Sequence, residues 1–420
     1  MSNGISYDQM ALVNALAFTR PSGTPENRKA IEIICKEIEK IGGKPVVEPF
    51  SFEWHKIEKA YLKVTKPYQK ELPVKAVAYT GSLPKGGKTF DFAYAERGIQ
   101  FDLDGKNGKA VLINNLDGKA YKALSESDTP FFLTVSGKYY DAPSVPVYEK
   151  KLPKPLRDFR SVPGLVISTA NAIEMINSKA TEIFAELEQS LCTIETANVI
   201  AKIEGTEFPD EIITYSAHFD STFHSTGAYD NATGVSAIMA LYDYFMKHPP
   251  KRTMVFVFCA AEENGLLGSD NFVKSHPEII EKTRLEINFD LIGCAIGYNG
   301  VSYTAGEEVG DYLRNLSVEL RHSLANDCSA APSDSTNFAR ENIPSLNFYR
   351  YGEGEIHNIN DIPGLLDPDS LGVTTDFVRV FAERVANAEK FPFERHLPDA
   401  VFNKVCDYLH RPRRGTGTEK

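Results

Sequence analysis

Seven side chains have the types and placements that hold and use divalent metal ions: His218, Asp220, Asp230, Glu262, Glu263, Asp290 and His357. Imidazole and carboxylate are the ligands that hard and borderline metals take. His218 and Asp220 close the run Ile212-Ile213-Thr214-Tyr215-Ser216-Ala217, and Asp230 follows a loop rich in Ser, Thr and Gly. Glu262 and Glu263 end the apolar run Met254–Cys259, where burying charge is costly unless it is paired or metal-bound. Adjacent carboxylates diverge in an extended chain, so one can bind a metal while the other faces the water which that metal holds. Asp290 ends Leu285–Phe289, and His357 follows Leu346–Tyr349 in a loop that also holds Asp361. Each residue has a plain structural use when taken alone, as a turn former, a helix cap or a surface group. Together, His218, Asp230, Glu263, Asp290 and His357 are two imidazoles and three carboxylates, with Glu262 in addition. That inventory suits two metals sharing one bridging carboxylate, with a general base nearby.

The elements that must position these groups alternate. Thr24-Pro25 opens a helix, with Thr as N-cap and Pro in the first turn, and Gly42-Gly43 stops it. Val46–Phe52 is predicted as a strand. From Asn198 onward, apolar strands (212–215, 253–258, 285–289, 301–304, 344–349) alternate with helical stretches (235–241, 264–274, 307–324, 369–388). Such alternation implies an α/β fold with a mostly parallel sheet. Ligands of such sheets gather at the C-terminal strand ends, where these seven residues fall.

Between about 53 and 190 the texture changes to short β-like runs punctuated by Gly and Pro, such as Pro84-Lys85-Gly86-Gly87. His55 is the one His there and is expected to be a surface or packing residue. Residues 1–53 and 191–420 are therefore expected to form a discontinuous three-layer α/β/α domain, and 54–190 an inserted β-rich domain. A chain of 420 residues buries such a core easily. Net charge of −11 disfavours nucleic acid as a partner. No apolar run is long enough to span a bilayer, so no membrane is expected. The six cysteines are scattered without a CxxC, against structural zinc or a disulfide scaffold. The first residues carry no basic and apolar leader, which reads as cytoplasmic, or as secreted or periplasmic had a signal been trimmed.

The ordered motifs Ala217-His218-Phe219-Asp220, Gly227-Ala228-Tyr229-Asp230-Asn231-Ala232-Thr233-Gly234, Ala261-Glu262-Glu263-Asn264-Gly265, Asn288-Phe289-Asp290 and His357 resemble the co-catalytic di-zinc aminopeptidase family. That family includes bacterial leucyl aminopeptidases and glutamate-carboxypeptidase-II-like proteins. The insert, ending in Val162-Pro163-Gly164-Leu165-Val166-Ile167-Ser168, resembles its protease-associated domain. The resemblance implies two zinc ions per chain. Asp230 would bridge them, His218 and Asp290 would complete one ligand set, and Glu263 and His357 the other. Glu262 would be the general base and Asp220 would orient His218. Peptides with a free N-terminus would be the substrates. Where the family often has Ser-Asp-His, this chain reads Ser333-Asp334-Ser335, which leaves no His there. Tyr349 and Tyr351 are candidate donors to an oxyanion or substrate, with strand packing the equal alternative. Three other readings remain: a carboxypeptidase using Arg350 for a substrate carboxylate, a one-zinc glutaminyl-cyclase-like transferase, and a non-catalytic receptor-like homologue. The retained ligand set and Glu262 weigh against the last two. Oligomeric state and side-chain preference stay open.

Overall fold

In the computed structural model, residues 4–139, 146–352, 354, 356–410 and 413 are described, so the first three residues read above lie outside them. The chain forms two compact units, Met1–Ser51 with Ile194–Lys420, and Phe52–Thr193. Two long strands, Val46–Lys66 and Glu182–Ile203, carry the chain from the first unit into the second and back.

In the first unit, Phe208–His218 lies at the centre of the sheet. It pairs in parallel with Arg252–Cys259 on one side and Thr283–Phe289 on the other. Thr283–Phe289 in turn pairs in parallel with Ser345–Gly352. The margins are antiparallel, with Gly297–Thr304 against Ser345–Gly352 and residues 199–203 against Arg252–Cys259. The two-residue period of a strand sends alternate side chains to opposite faces. Phe256 and Phe258 pack with Leu12, Ile34, Val235 and Phe377, from the helices Gln9–Leu16, Pro25–Ile41, Thr233–Lys247 and Pro368–Asn387. Val255, Val257 and Cys259 pack the other way, against Phe272, Ile280 and Phe338 from Leu267–Ser275, Pro277–Lys282 and Ser335–Ala339. The result is three layers, and the parallel strands all end at one edge.

The expected start and stop of the second helix are present. Thr24 Oγ1 accepts the Asn27 amide, and Gly42 is left-handed at φ +98°. The helix expected from Asn264 instead begins at Leu267, because residues 262–266 form a turn in which Gly265 and Leu266 both donate to the Glu262 carbonyl.

The second unit has its own mixed sheet, in the order residues 182–185, Lys88–Tyr94, Ala110–Ile113, Phe132–Ser136, Gly164–Ser168, Val74–Ala78 and Lys150–Lys151. Besides the helix Thr169–Asn177, it contains Gln100–Leu103 and Gly118–Glu126. The latter escapes a hydrophobic-pattern reading because it is short and opens on glycine. Asp117 starts it by accepting the Ala120 amide at 2.8 Å.

Candidate metal centre

His218 is the last residue of the central strand, and its side chain is buried. The chain then turns at Gly227, left-handed at φ +61°, into residues 228–232, where Asp230 departs from helical geometry before Thr233–Lys247 begins. Asn231 fixes that departure. Its Oδ1 accepts the Gly234 amide at 2.9 Å, and its Nδ2 donates to the Phe289 carbonyl at 2.8 Å, one residue before Asp290. Gly234 permits this approach, since a Cβ there would sit 2.3 Å from the Phe289 oxygen.

Two groups that could hold a metal ion result. The first is His218, Asp230 and Asp290, and the second is Asp230, Glu263 and His357. His218 Nε2 lies 3.2 Å from Asp230 Oδ1 and 3.5 Å from Asp290 Oδ1. His357 Nε2 lies 3.0 Å from Asp230 Oδ2 and 3.2 Å from Glu263 Oε2. Metal bonds of about 2.0–2.1 Å in a tetrahedron set neighbouring ligand atoms about 3.3 Å apart. The spacing and chemistry of both groups therefore fit a divalent ion, and the two oxygens of Asp230 face different groups. Glu262 Oε2 stands 4.0 Å from His218 Nε2.

The electrostatics follow from crowding charge in a dry place. Burial pushes Glu262 well above the usual carboxylate range; His218 pulls it back, while Asp290, Glu263 and Asp334 push it further up. Burial also raises Asp230, yet hydrogen bonds from His218 and His357 outweigh it and hold this carboxyl below the usual range. Burial lowers His357, but Asp230 and Glu263 overcome that and lift it to about 10. His218 is lifted well above its ordinary value, burial being outweighed by Glu262, Asp220, Asp230 and Asp290.

Asp220 does more than the sequence suggests. Its Oδ1 is 3.6 Å from His218 Nδ1, beyond hydrogen-bond range. Its two oxygens instead accept the amides of Glu262 at 3.1 Å and Glu263 at 3.3 Å. A buried carboxylate thus anchors the turn that aims both glutamates.

Tyr349 and Tyr351 are not brought to the centre. The Tyr349 ring lies across Gly300, and its hydroxyl pairs with Ser302, which is in register with Asn347 and so back along the strand from the ligand edge. Tyr351 is exposed beside Tyr298, 5.7 Å between ring centres. Nearness to His357 along the chain misleads because Tyr349 and Tyr351, two residues apart, share one face of the strand and lie against Gly300 and Tyr298.

Asp361 was missed. It is fully buried and accepts from the Tyr229 amide at 2.7 Å, the Asp230 amide at 3.3 Å and Ser225 Oγ at 2.7 Å. It ties the loop that carries His357 to the loop that carries Asp230. Its position four residues after His357 is the one signal the sequence offered.

All five candidate ligands and Glu262 lie within residues 198–382, which match the model for Peptidase family M28. The match covers a little under half of the chain. A vacuolar membrane protease of Saccharomyces cerevisiae is 41% identical over 78 residues, 19% of this chain and 8% of that protein. The chain therefore spans a small part of that relative's length. Among solved structures, the zinc aminopeptidase BSAP of Bacillus subtilis matches 93% of this chain and 98% of its own at 18% identity, with a TM-score of 0.78. The aminopeptidase of Aneurinibacillus sp. strain AM-1 matches 92% and 95% at 22% identity, with a TM-score of 0.72. These two share the fold that carries the M28 segment. Among the described residues, no helix is long and apolar enough to cross a membrane.

Proposed function

We propose that this chain is a zinc-dependent aminopeptidase that binds two zinc ions, with Asp230 bridging them, and removes N-terminal residues from peptides. The observation that carries the reading is the pair of ligand groups sharing Asp230, with Glu262 beside them. His218 and Asp290 would complete one ligand set, and Glu263 and His357 the other. When bound, the two ions supply Lewis acidity that acidifies a shared water and polarises the scissile carbonyl. Glu262 accepts the water's proton and delivers it to the leaving amine. Its burial among carboxylates raises its proton affinity, as a base in this role needs. Asp220 keeps Glu262 and Glu263 apart in direction by holding both amides. The M28 match and the naming of the Bacillus subtilis protein as a zinc aminopeptidase support the metal and the reaction class.

An amino terminus suits the site better than a carboxy terminus. Glu262, Glu263 and Asp290 offer negative charge to an ammonium group. Arg350, the candidate for binding a substrate carboxylate, is occupied elsewhere, donating to the Cys294 carbonyl at 2.5 Å and Asn299 Oδ1 at 3.0 Å. The test compares a peptide with its N-acetylated form on the zinc-loaded protein. Cleavage of the free peptide alone is expected. Equal cleavage of both would overturn the aminopeptidase reading.

A further inference from the structure

We propose that the loop Arg20-Pro21-Ser22-Gly23, which lies outside the M28 segment, is the positioning element of the metal centre. It grips the loop between His218 and Asp230 and the turn that bears Glu262 and Glu263, so metal affinity and turnover depend on it. This rests on the metal-dependent reading above. The Arg20 side chain is wholly buried and donates to backbone carbonyls: Leu16 at 2.5 Å, Phe18 at 3.2 Å, Thr226 at 2.6 Å, Gly227 at 2.8 Å, and Phe219. Its backbone amide donates to Ser221 Oγ at 3.0 Å. Phe219 follows His218 directly, and Gly227 precedes Asp230 by three residues. One guanidinium thus closes the loop between two ligands from the inside. Gly227 completes the socket, because a Cβ there would lie 2.9 Å from Arg20 Nη1. A buried cation is costly unless fully hydrogen-bonded, which these carbonyls accomplish. Its charge also faces Asp220, Asp361, Asp230 and Glu263 and offsets their mutual repulsion.

Two residues on, Ser22 reaches the other loop. Its Oγ accepts the Ala261 amide at 3.0 Å. Ala261 holds a left-handed φ of +55°, a conformation that residues with a Cβ resist. The Ser22 contact helps hold this strained residue, and Glu262 and Glu263 follow it at once. The gripping loop is itself anchored: the Thr24 amide donates to the Pro21 carbonyl at 3.2 Å, and Asn27 Nδ2 to the Arg20 carbonyl at 3.4 Å.

The test titrates metal-free protein with Co²⁺, followed by its visible absorption, for wild type, Ser22→Ala, Ala261→Gly, the double variant, Arg20→Lys and Arg20→Gln. Thermal melting checks that each is folded. Ser22→Ala should bind Co²⁺ about tenfold more weakly, the size of one buried hydrogen bond lost. Its kcat on the zinc-loaded protein should fall with KM little changed. The double variant should recover to within about threefold, since glycine adopts the left-handed conformation without penalty. Arg20→Lys should lose most of the affinity that Arg20→Gln loses, because an ammonium cannot fork to carbonyls on separate loops. A folded Ser22→Ala that binds Co²⁺ as wild type does, or a double variant no better than the single one, would overturn the proposal. Wild-type protein that binds no Co²⁺ would overturn the proposed function and this inference with it.

Discussion

Replacing Asp220 with Asn asks whether this carboxylate works through His218 or through the turn that carries the glutamates. In the structure, Oδ1 accepts the Glu262 amide and Oδ2 the Glu263 amide, while His218 Nδ1 stands 3.6 Å away. An Asn keeps one acceptor and places an NH2 group against the other amide. One hydrogen bond to a charged acceptor is lost and a donor faces a donor. Such a bond contributes about 1.5–3 kcal/mol, and each 1.4 kcal/mol is about tenfold in binding. Metal affinity should therefore fall roughly 10- to 150-fold. The assay is metal titration in a double-mutant cycle, which measures coupling between neighbours. Asp220→Asn is combined in turn with Glu263→Gln and with His218→Asn. Strong non-additivity with Glu263→Gln and near-additivity with His218→Asn is the expected pattern. The reverse pattern would show that Asp220 acts by orienting the imidazole, and would refute the role assigned here.

Glu262→Gln should lose roughly 10²–10⁴-fold in kcat, because an amide cannot take up the water's proton. Its zinc content should match wild type; a near-normal kcat in this variant would remove Glu262 from the reaction. Without metal, His218 and His357 both hold protons at neutral pH, His357 up to about 10. Ligation requires neutral imidazole, so zinc binding at pH 7 should release a proton from each imidazole, and affinity should climb as pH rises toward 10. Calorimetry in two buffers of different ionisation enthalpy counts the protons, and binding that releases none would contradict the assignment.

The residues that gather into the two clusters were legible because charge at the end of an apolar strand is hard to explain otherwise. Asp290 after Leu285–Phe289 and Glu262-Glu263 after Met254–Cys259 both stand out on that ground. The three layers were legible for a related reason, since strand and helix periods alternate plainly from Asn198 onward. The supporting groups were not. Arg20 bonds Gly227 across 207 residues, and Asp361 bonds the Tyr229 amide across 132. Both act on backbone atoms, which carry no residue-type signature, so in sequence they read as an ordinary loop Arg and Asp. Tyr349 failed the opposite way. Adjacency along the chain suggested a role that strand geometry removes by turning its ring onto Gly300.

The shared position of Asp230 is tested most directly by counting metal in zinc-saturated, dialysed protein and locating it by anomalous scattering in crystals. About two zinc ions per chain are expected, one against His218 and Asp290 and the other against Glu263 and His357, with Asp230 contacting both. Asp230→Asn should lower occupancy at both positions together. A single zinc at full saturation, or two that respond independently to the loss of Asp230, would contradict the two-metal centre.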